Sequence, residues 1–172
     1  MANPANETVL YPFTAFNFAV EIHVPELNTK VCNASFSDCD GLEMTMDVKT
    51  IREGGNNGQQ IRLTGPLTFG QLTLKRGMTA SFDLWDWFEA VLKNPLLRAD
   101  AEVVLFAQDG TTERARFVLS RCLPVKLKAP TLNAKDGLVA VEELQLAYQS
   151  LTLKRPTGAG LSLSVGLSIG GA

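Results

Sequence analysis

A single histidine in 172 residues, His23, leaves almost nothing that titrates near neutral pH. It falls out of phase with the apolar residues around it and reads as a solvent-facing or edge residue, not a general base. Three cysteines, Cys32, Cys39 and Cys122, are an odd number without metal-ligand spacing, which suits a reducing compartment. No apolar run approaches the roughly 20 residues that span a bilayer. The opening Met1-Ala2-Asn3-Pro4-Ala5-Asn6-Glu7 has neither the basic nor the apolar region of a signal peptide. Synthesis in the cytosol, without export by the general secretory route, is the expectation. Charge of one sign is also missing: 16 Lys and Arg stand against 18 Asp and Glu, a net −2. That balance argues against nucleic acid as the main partner, because phosphate binding needs a basic excess.

The catalytic inventory is equally thin. There is no serine nucleophile elbow and no metal-binding histidine pair, and no local motif places a cysteine beside His23. Asp38-Cys39-Asp40-Gly41-Leu42-Glu43 lacks the spacing and terminal bidentate glutamate of a calcium loop. Gly54-Gly55-Asn56-Asn57-Gly58 is followed by neither a helix N-terminus nor Lys-Ser/Thr, so it is no phosphate cradle. Arg62, Arg114, Arg116, Lys126 and Lys128 are interspersed with Glu43, Asp47, Glu142 and Glu143 and read as a mixed solvated face. A protein without catalytic residues, cofactor or metal is expected.

What is present is a β pattern. With 45% apolar and 20% charged residues the chain reads as one soluble domain with its own core. Residues 1–12 form a polar arm, 13–157 the domain, and 158–172 a Gly/Ser-rich extension. Phe16, Phe18, Val20, Ile22 and Val24 alternate along a first strand. A long hairpin follows, from Val31 to Arg52 and from Gln60 to Arg76, broken by Gly65-Pro66, with Gly54–Gly58 at its tip. Ser81–Lys93 reads as a helix capped by Ser81 and ended by Asn94-Pro95, with Phe82, Trp85, Phe88 and Leu92 near one face and Leu84, Trp87 and Val91 widening the stripe. Then come a strand over Ala101–Ala107 and a second long hairpin, 114–128 with 138–154. Six strands and one helix make a mainly β, antiparallel fold.

Leu72-Thr73-Leu74-Lys75-Arg76 recurs as Leu151-Thr152-Leu153-Lys154-Arg155, with Leu67 and Phe69 answered by Leu146 and Tyr148 at the same offset. Either common strand-end residues coincide, or two hairpins are equivalent pieces of one sheet. The extension alternates small residues with Leu161, Leu163, Val165, Leu167 and Ile169, and reads as a flexible tail or as a strand awaiting a neighbour. Strands this long present more sheet than one small core covers, and their edges must be paired or blocked. Joining subunits edge to edge into a ring would do so.

Five segments taken in order carry a resemblance: Phe36-Ser37-Asp38-Cys39-Asp40-Gly41-Leu42-Glu43, Arg52-Glu53-Gly54-Gly55-Asn56, Leu74-Lys75-Arg76-Gly77, Leu84-Trp85-Asp86-Trp87, and Val139-Ala140-Val141-Glu142-Glu143-Leu144. Over roughly residues 13–155 the chain resembles the inner tube proteins of contractile tails, in phages and in extracellular injection systems. The resemblance implies an antiparallel sandwich or barrel-like fold. Each subunit would give two long hairpins to a 24-stranded barrel in a hexameric ring. At about 4.8 Å per strand that barrel has a circumference of about 115 Å. Stacked rings would form a tube with a cargo-carrying lumen, and sheath contraction would drive it through a target envelope. The implied partners are further copies, sheath, baseplate or tube-initiator and spike proteins, and a protein effector or DNA as cargo, with no stable membrane insertion. Assembly in the bacterial cytoplasm, within a particle released to the outside or a virion tail, follows. An injection-system tube is favoured over a phage tail tube acting as a DNA conduit. A monomeric β-barrel ligand-binding module and a hydrolase are the readings of other classes.

Within this frame the alternation assigns Glu43, Thr45, Asp47, Lys49, Arg62, Arg116, Ser120, Glu143, Gln145 and Ala147 to the lumen. Leu42, Met44, Met46, Val48, Leu63, Phe117, Leu119, Leu144, Leu146 and Tyr148 are assigned to the core. The hairpin tip, with Arg52, Glu53, Gly54, Gly55, Asn56 and Asn57, is expected to make inter-ring or inter-subunit contacts.

Overall fold

A computed structural model describes residues 12–25, 29–52, 60–135 and 137–155. In chain order these form β1 (Phe18–Val24), β2 (Thr29–Ala34), β3 (Asp38–Asp40), β4 (Met44–Ile51), β5 (Ile61–Phe69), β6 (Gln71–Gly77), α1 (Asp83–Lys93), β7 (Ala99–Phe106), β8 (Glu113–Lys128), β9 (Val141–Ala147) and β10 (Ser150–Lys154). Every pairing is antiparallel. The proposed boundaries at residues 12 and 157 abut or fall beyond these limits, and the 158–172 extension lies outside the described residues.

One layer runs β2-β1-β7 into the first half of β8, with β10 on that half's other edge. The second half of β8 pairs with β9, β9 with β6, and β6 with β3. Alternation explains which residues face inward: Val20, Ile22 and Val24 of β1, Leu72 and Leu74 of β6, and Leu144 and Leu146 of β9 are fully buried in one core. β8 passes between the layers at Arg121, whose φ is 52°. Ser120 and Arg121 together oppose Asp100, a bulge that turns both Leu119 and Cys122 inward. The Asp100 carboxylate accepts the Arg121 N–H at 2.9 Å and holds the turn.

The helix covers this core with Leu84 and Trp87, while Phe82 and Leu92 stay exposed. It begins at Asp83, one residue later than a Ser81 cap implies, and Ser81 is not its cap. Phe82 occupies that position without a side-chain bond, and the Asp83 carboxylate accepts the Leu84 N–H instead. Asn94 ends it as expected. No helix among the described residues is long and apolar enough to cross a membrane.

The expected six strands are divided into ten. The alternation runs through Ser35–Ser37, Gly41–Glu43, Gly70 and Tyr148–Gln149, where the pairing changes partner. The two Leu-Thr-Leu-Lys-Arg copies do take matching places. The first pairs with β3 ahead of β4, and the second with the start of β8. Their burial differs because β6 has β9 on its other edge: Leu74 is fully buried, and Leu153 is 48% exposed.

Candidate functional site

β4 and β5 pair only with each other among the described residues and leave the body as a two-stranded sheet. Their point of departure is built from Gly41, Gly70 and Tyr148. Gly41 has φ +97°, and a Cβ there would sit 2.0 Å from the Gln71 carbonyl oxygen. A Cβ on Gly70 would meet Glu43 Cγ at 2.4 Å. The Tyr148 hydroxyl accepts the Glu43 N–H at 3.1 Å and lies 2.9 Å and 3.0 Å from the carbonyls of Gly41 and Glu43, to one of which it donates. Its ring packs on Phe69 at 5.7 Å, so the residues at matching offsets from the repeat meet here. Tyr148→Phe keeps the packing and leaves these backbone groups without their partner. It should lower stability by about 1–3 kcal/mol in urea titrations.

The hairpin itself is corrected most by the structure. Met44, Met46, Val48 and Leu63, assigned to the core, are 45–60% exposed. Opposed residues share a face, and the register pairs Met44 with Phe69 and Met46 with Leu67. Gly65 and Pro66 then oppose Asp47 alone, so β5 carries a bulge and its phase flips. Beyond it Arg62 opposes Thr50, on the side of Met46 and Val48, and Leu63 opposes Lys49. Arg62 therefore does not share a face with Thr45, Asp47 and Lys49. At the tip Arg52 is exposed, and Glu53, Gly54, Gly55, Asn56 and Asn57 lie outside the described residues.

The other assigned lumen residues fall into two groups. Glu143 and Gln145 point away from the core on β9, beside Thr73 and Lys75 of β6 and Lys126 and Lys128 of β8. Lys75 pairs with Asp38 at 2.8 Å, and Lys126 with Glu143 at 3.3 Å. Arg116 and Ser120 belong to the first half of β8, in the other layer. Arg116 bridges Glu113 and Glu102.

Under the helix lies an ionic cluster that the sequence reading missed. Arg76, 4% exposed, donates from Nε to Glu142 at 2.6 Å and from its terminal nitrogens to Asp83 at 2.5 Å and Cys32 at 3.2 Å. Glu142, 1% exposed, also accepts the Trp85 indole N–H at 3.2 Å. Phe36 lies 5.9 Å beneath the guanidinium. Four of the five segments quoted for the resemblance thus supply members of the cluster, joining β6, β9, α1 and the approach to β3.

The family model described as T4-like virus tail tube protein gp19 matches residues 14–152. The chain belongs to that tail tube protein family. Its fold recurs in a chain of the anti-feeding prophage baseplate, 25% identical with TM-score 0.76, over 86% of this chain and 98% of that one. A chain of the anti-feeding prophage cap matches at 22% and 0.76, over 91% and 100%. A chain of the PVC sheath-tube complex matches at 22% and 0.73, again over 91% and 100%. No curated protein matches.

In this tail tube protein Glu142 corrects the earlier placement on a solvated face. It is in phase with Leu144 and Leu146, as Arg76 is with Leu72 and Leu74, and that phase was the available signal. Among the described residues no group of three or more His, Cys, Asp or Glu is arranged to hold a metal. Burial, followed by the neighbouring Asp38 and Asp40, pushes the Cys39 thiol up to about 11. Burial, followed by Asp100, pushes Cys122 up to about 12. Folded protein at pH 8 should therefore alkylate about a hundredfold slower at Cys39 and about a thousandfold slower at Cys122 than unfolded protein, as timed mass spectrometry would show.

Proposed function

We propose that the chain is the inner-tube subunit of a contractile injection system, six copies closing into a ring whose continuous barrel has 24 strands. The observation that carries this reading is the β4–β5 hairpin, exposed at every strand position but Gly65 and Phe69 and unpaired on both outer edges among the described residues. Such edges invite pairing with another chain, and a closed ring of like subunits satisfies them without open-ended aggregation. With β3–β6 continuing one hairpin and β8–β9 forming the other, each copy has four strands to give. Domain 13–157 forms the ring, and the tip at 52–57 meets the next ring.

Glu43, Thr45, Asp47, Lys49, Glu143 and Gln145 face the lumen, with Arg116 and Ser120 nearer the rim. Signs are mixed there, and the ion pairs Lys75–Asp38 and Lys126–Glu143 already satisfy part of the charge. Such a lining holds passing cargo weakly. Sheath, baseplate and spike proteins are the partners. Likeness to anti-feeding prophage and PVC chains favours an injection particle carrying protein over a phage tail carrying DNA. The role is structural, and assembly takes place in the bacterial cytoplasm.

Negative-stain electron microscopy with size-exclusion light scattering tests the reading. Six-fold rings or stacks are expected, alone or on addition of a tube-initiator protein. A monomer that persists with the initiator would return the chain to a ligand-binding module.

A further inference from the structure

Helix α1 carries an apolar stripe wider than the side it turns to the core. Leu84 and Trp87 face the core, with Val91 packed against it. Beside them Phe82, Trp85, Phe88 and Leu92 recur at intervals of three and four residues; Trp85 is drawn inward by its bond to Glu142, Phe88 is half-buried, and Phe82 and Leu92 form the outward stripe. Phe82 is 54% and Leu92 70% exposed. Asp86 and Glu89 edge this stripe, with Lys93 one turn on. Phe82 and Leu92 lie at the edge of the stripe, where the subunit's own core leaves them uncovered.

Among the described residues further apolar surface is exposed at Leu132, Leu138, Val139 and Val141, and on the side of the β4–β5 hairpin that carries Met44, Met46 and Val48, with Arg62 near its far end. Within the subunit α1 packs on β2 and β8, and the hairpin's strands pack chiefly on each other.

We infer that the outward stripe of α1 receives the Met44–Val48 face of the hairpin from a second copy of this chain. The two surfaces are different patches of one molecule, so their contact is head-to-tail and repeats around a ring, whereas like-on-like pairing would stop at a dimer. Their lengths match: Phe82 to Leu92 spans about 15 Å of helix, and Met44 to Val48 about 13 Å of strand. Charge matches too, because Arg62 stands on the hairpin side that meets the Asp86 and Glu89 edge. Methionine side chains adapt readily to the aromatic relief of the helix. The inference rests on the proposed ring and adds which surfaces close it.

The test uses the full chain with Cys39→Ser and pairs Met46→Cys with Leu92→Cys. On oxidation the double variant should give a ladder of covalent oligomers up to the hexamer, and each single variant should give none. In parallel, Leu92→Glu and Met46→Glu should each lower the assembled fraction at least about tenfold with an unchanged melting temperature. Wild-type rings combined with no ladder, and with Leu92→Glu assembling normally, would overturn the contact while leaving the tube standing. Dimers from Met46→Cys alone would overturn it in favour of like-on-like pairing. Leu92→Glu rings that fail only to take up sheath protein would overturn it in favour of a sheath site. Wild-type protein that forms no ring even with an initiator would overturn both the contact and the tube.

Discussion

Arg76→Ala should lower stability by about 3–5 kcal/mol, read from the urea midpoint of the monomer. The substitution strips the guanidinium from Glu142, which is 1% exposed and keeps only the Trp85 N–H, and from Asp83 in the first turn of α1. The cost is that of a stranded buried carboxylate and not the worth of a salt bridge. Arg76→Met combined with Glu142→Leu should therefore recover most of the loss. An Arg76→Ala penalty below about 1 kcal/mol would show that water reaches the cluster. The same cluster sets an acid limit. Burial raises the Asp83 carboxyl, and the hydrogen bond and charge of Arg76 outweigh it, so the net shift is downward. A lowered carboxyl contributes stability above its unfolded value, about 3.9, and loses it as pH falls through the folded one. Arg76→Ala should show a shallower decline than the parent below about pH 4.

Gly41→Ala is expected to rank next, at about 2–5 kcal/mol. Its φ of +97° costs a residue with a Cβ about 1–3 kcal/mol, and the 2.0 Å approach to the Gln71 carbonyl adds a clash that only backbone movement relieves. The movement falls on the short link between β3 and β4, which Tyr148 fastens. Assembly should suffer beyond what the stability loss explains, so that at 4 °C the variant is folded by circular dichroism yet fails to form rings. A variant that assembles like the parent would show that the link does not aim the hairpin.

The strands and helix that serve a single core were legible. β1 and α1 follow from the spacing of Val20, Ile22, Val24, Leu84 and Trp87, because burial on one side imposes one period. The resemblance was legible from five short segments, four of which meet at Arg76 and Glu142. The destination of Met44, Met46 and Val48 was not. An alternating strand shows that one side avoids water, and the same pattern results whether its cover is its own domain or another subunit. Alternation alone misplaces Arg62: Gly65-Pro66 interrupts the pattern either as a break or as an extra residue, and here it is an extra residue inside one strand. Proline in a strand signals either event, and only the register distinguishes them.

β8 runs for 16 residues, about 50 Å, and belongs to both layers. Its first half is bonded to β7 and β10 and its second to β9, with the Arg121 bulge between. Thrust applied along this strand loads the hydrogen bonds of both layers in shear, where many must yield together, instead of peeling them one by one. The layers then cannot slide separately, and a subunit pushed from one end moves as a single strut.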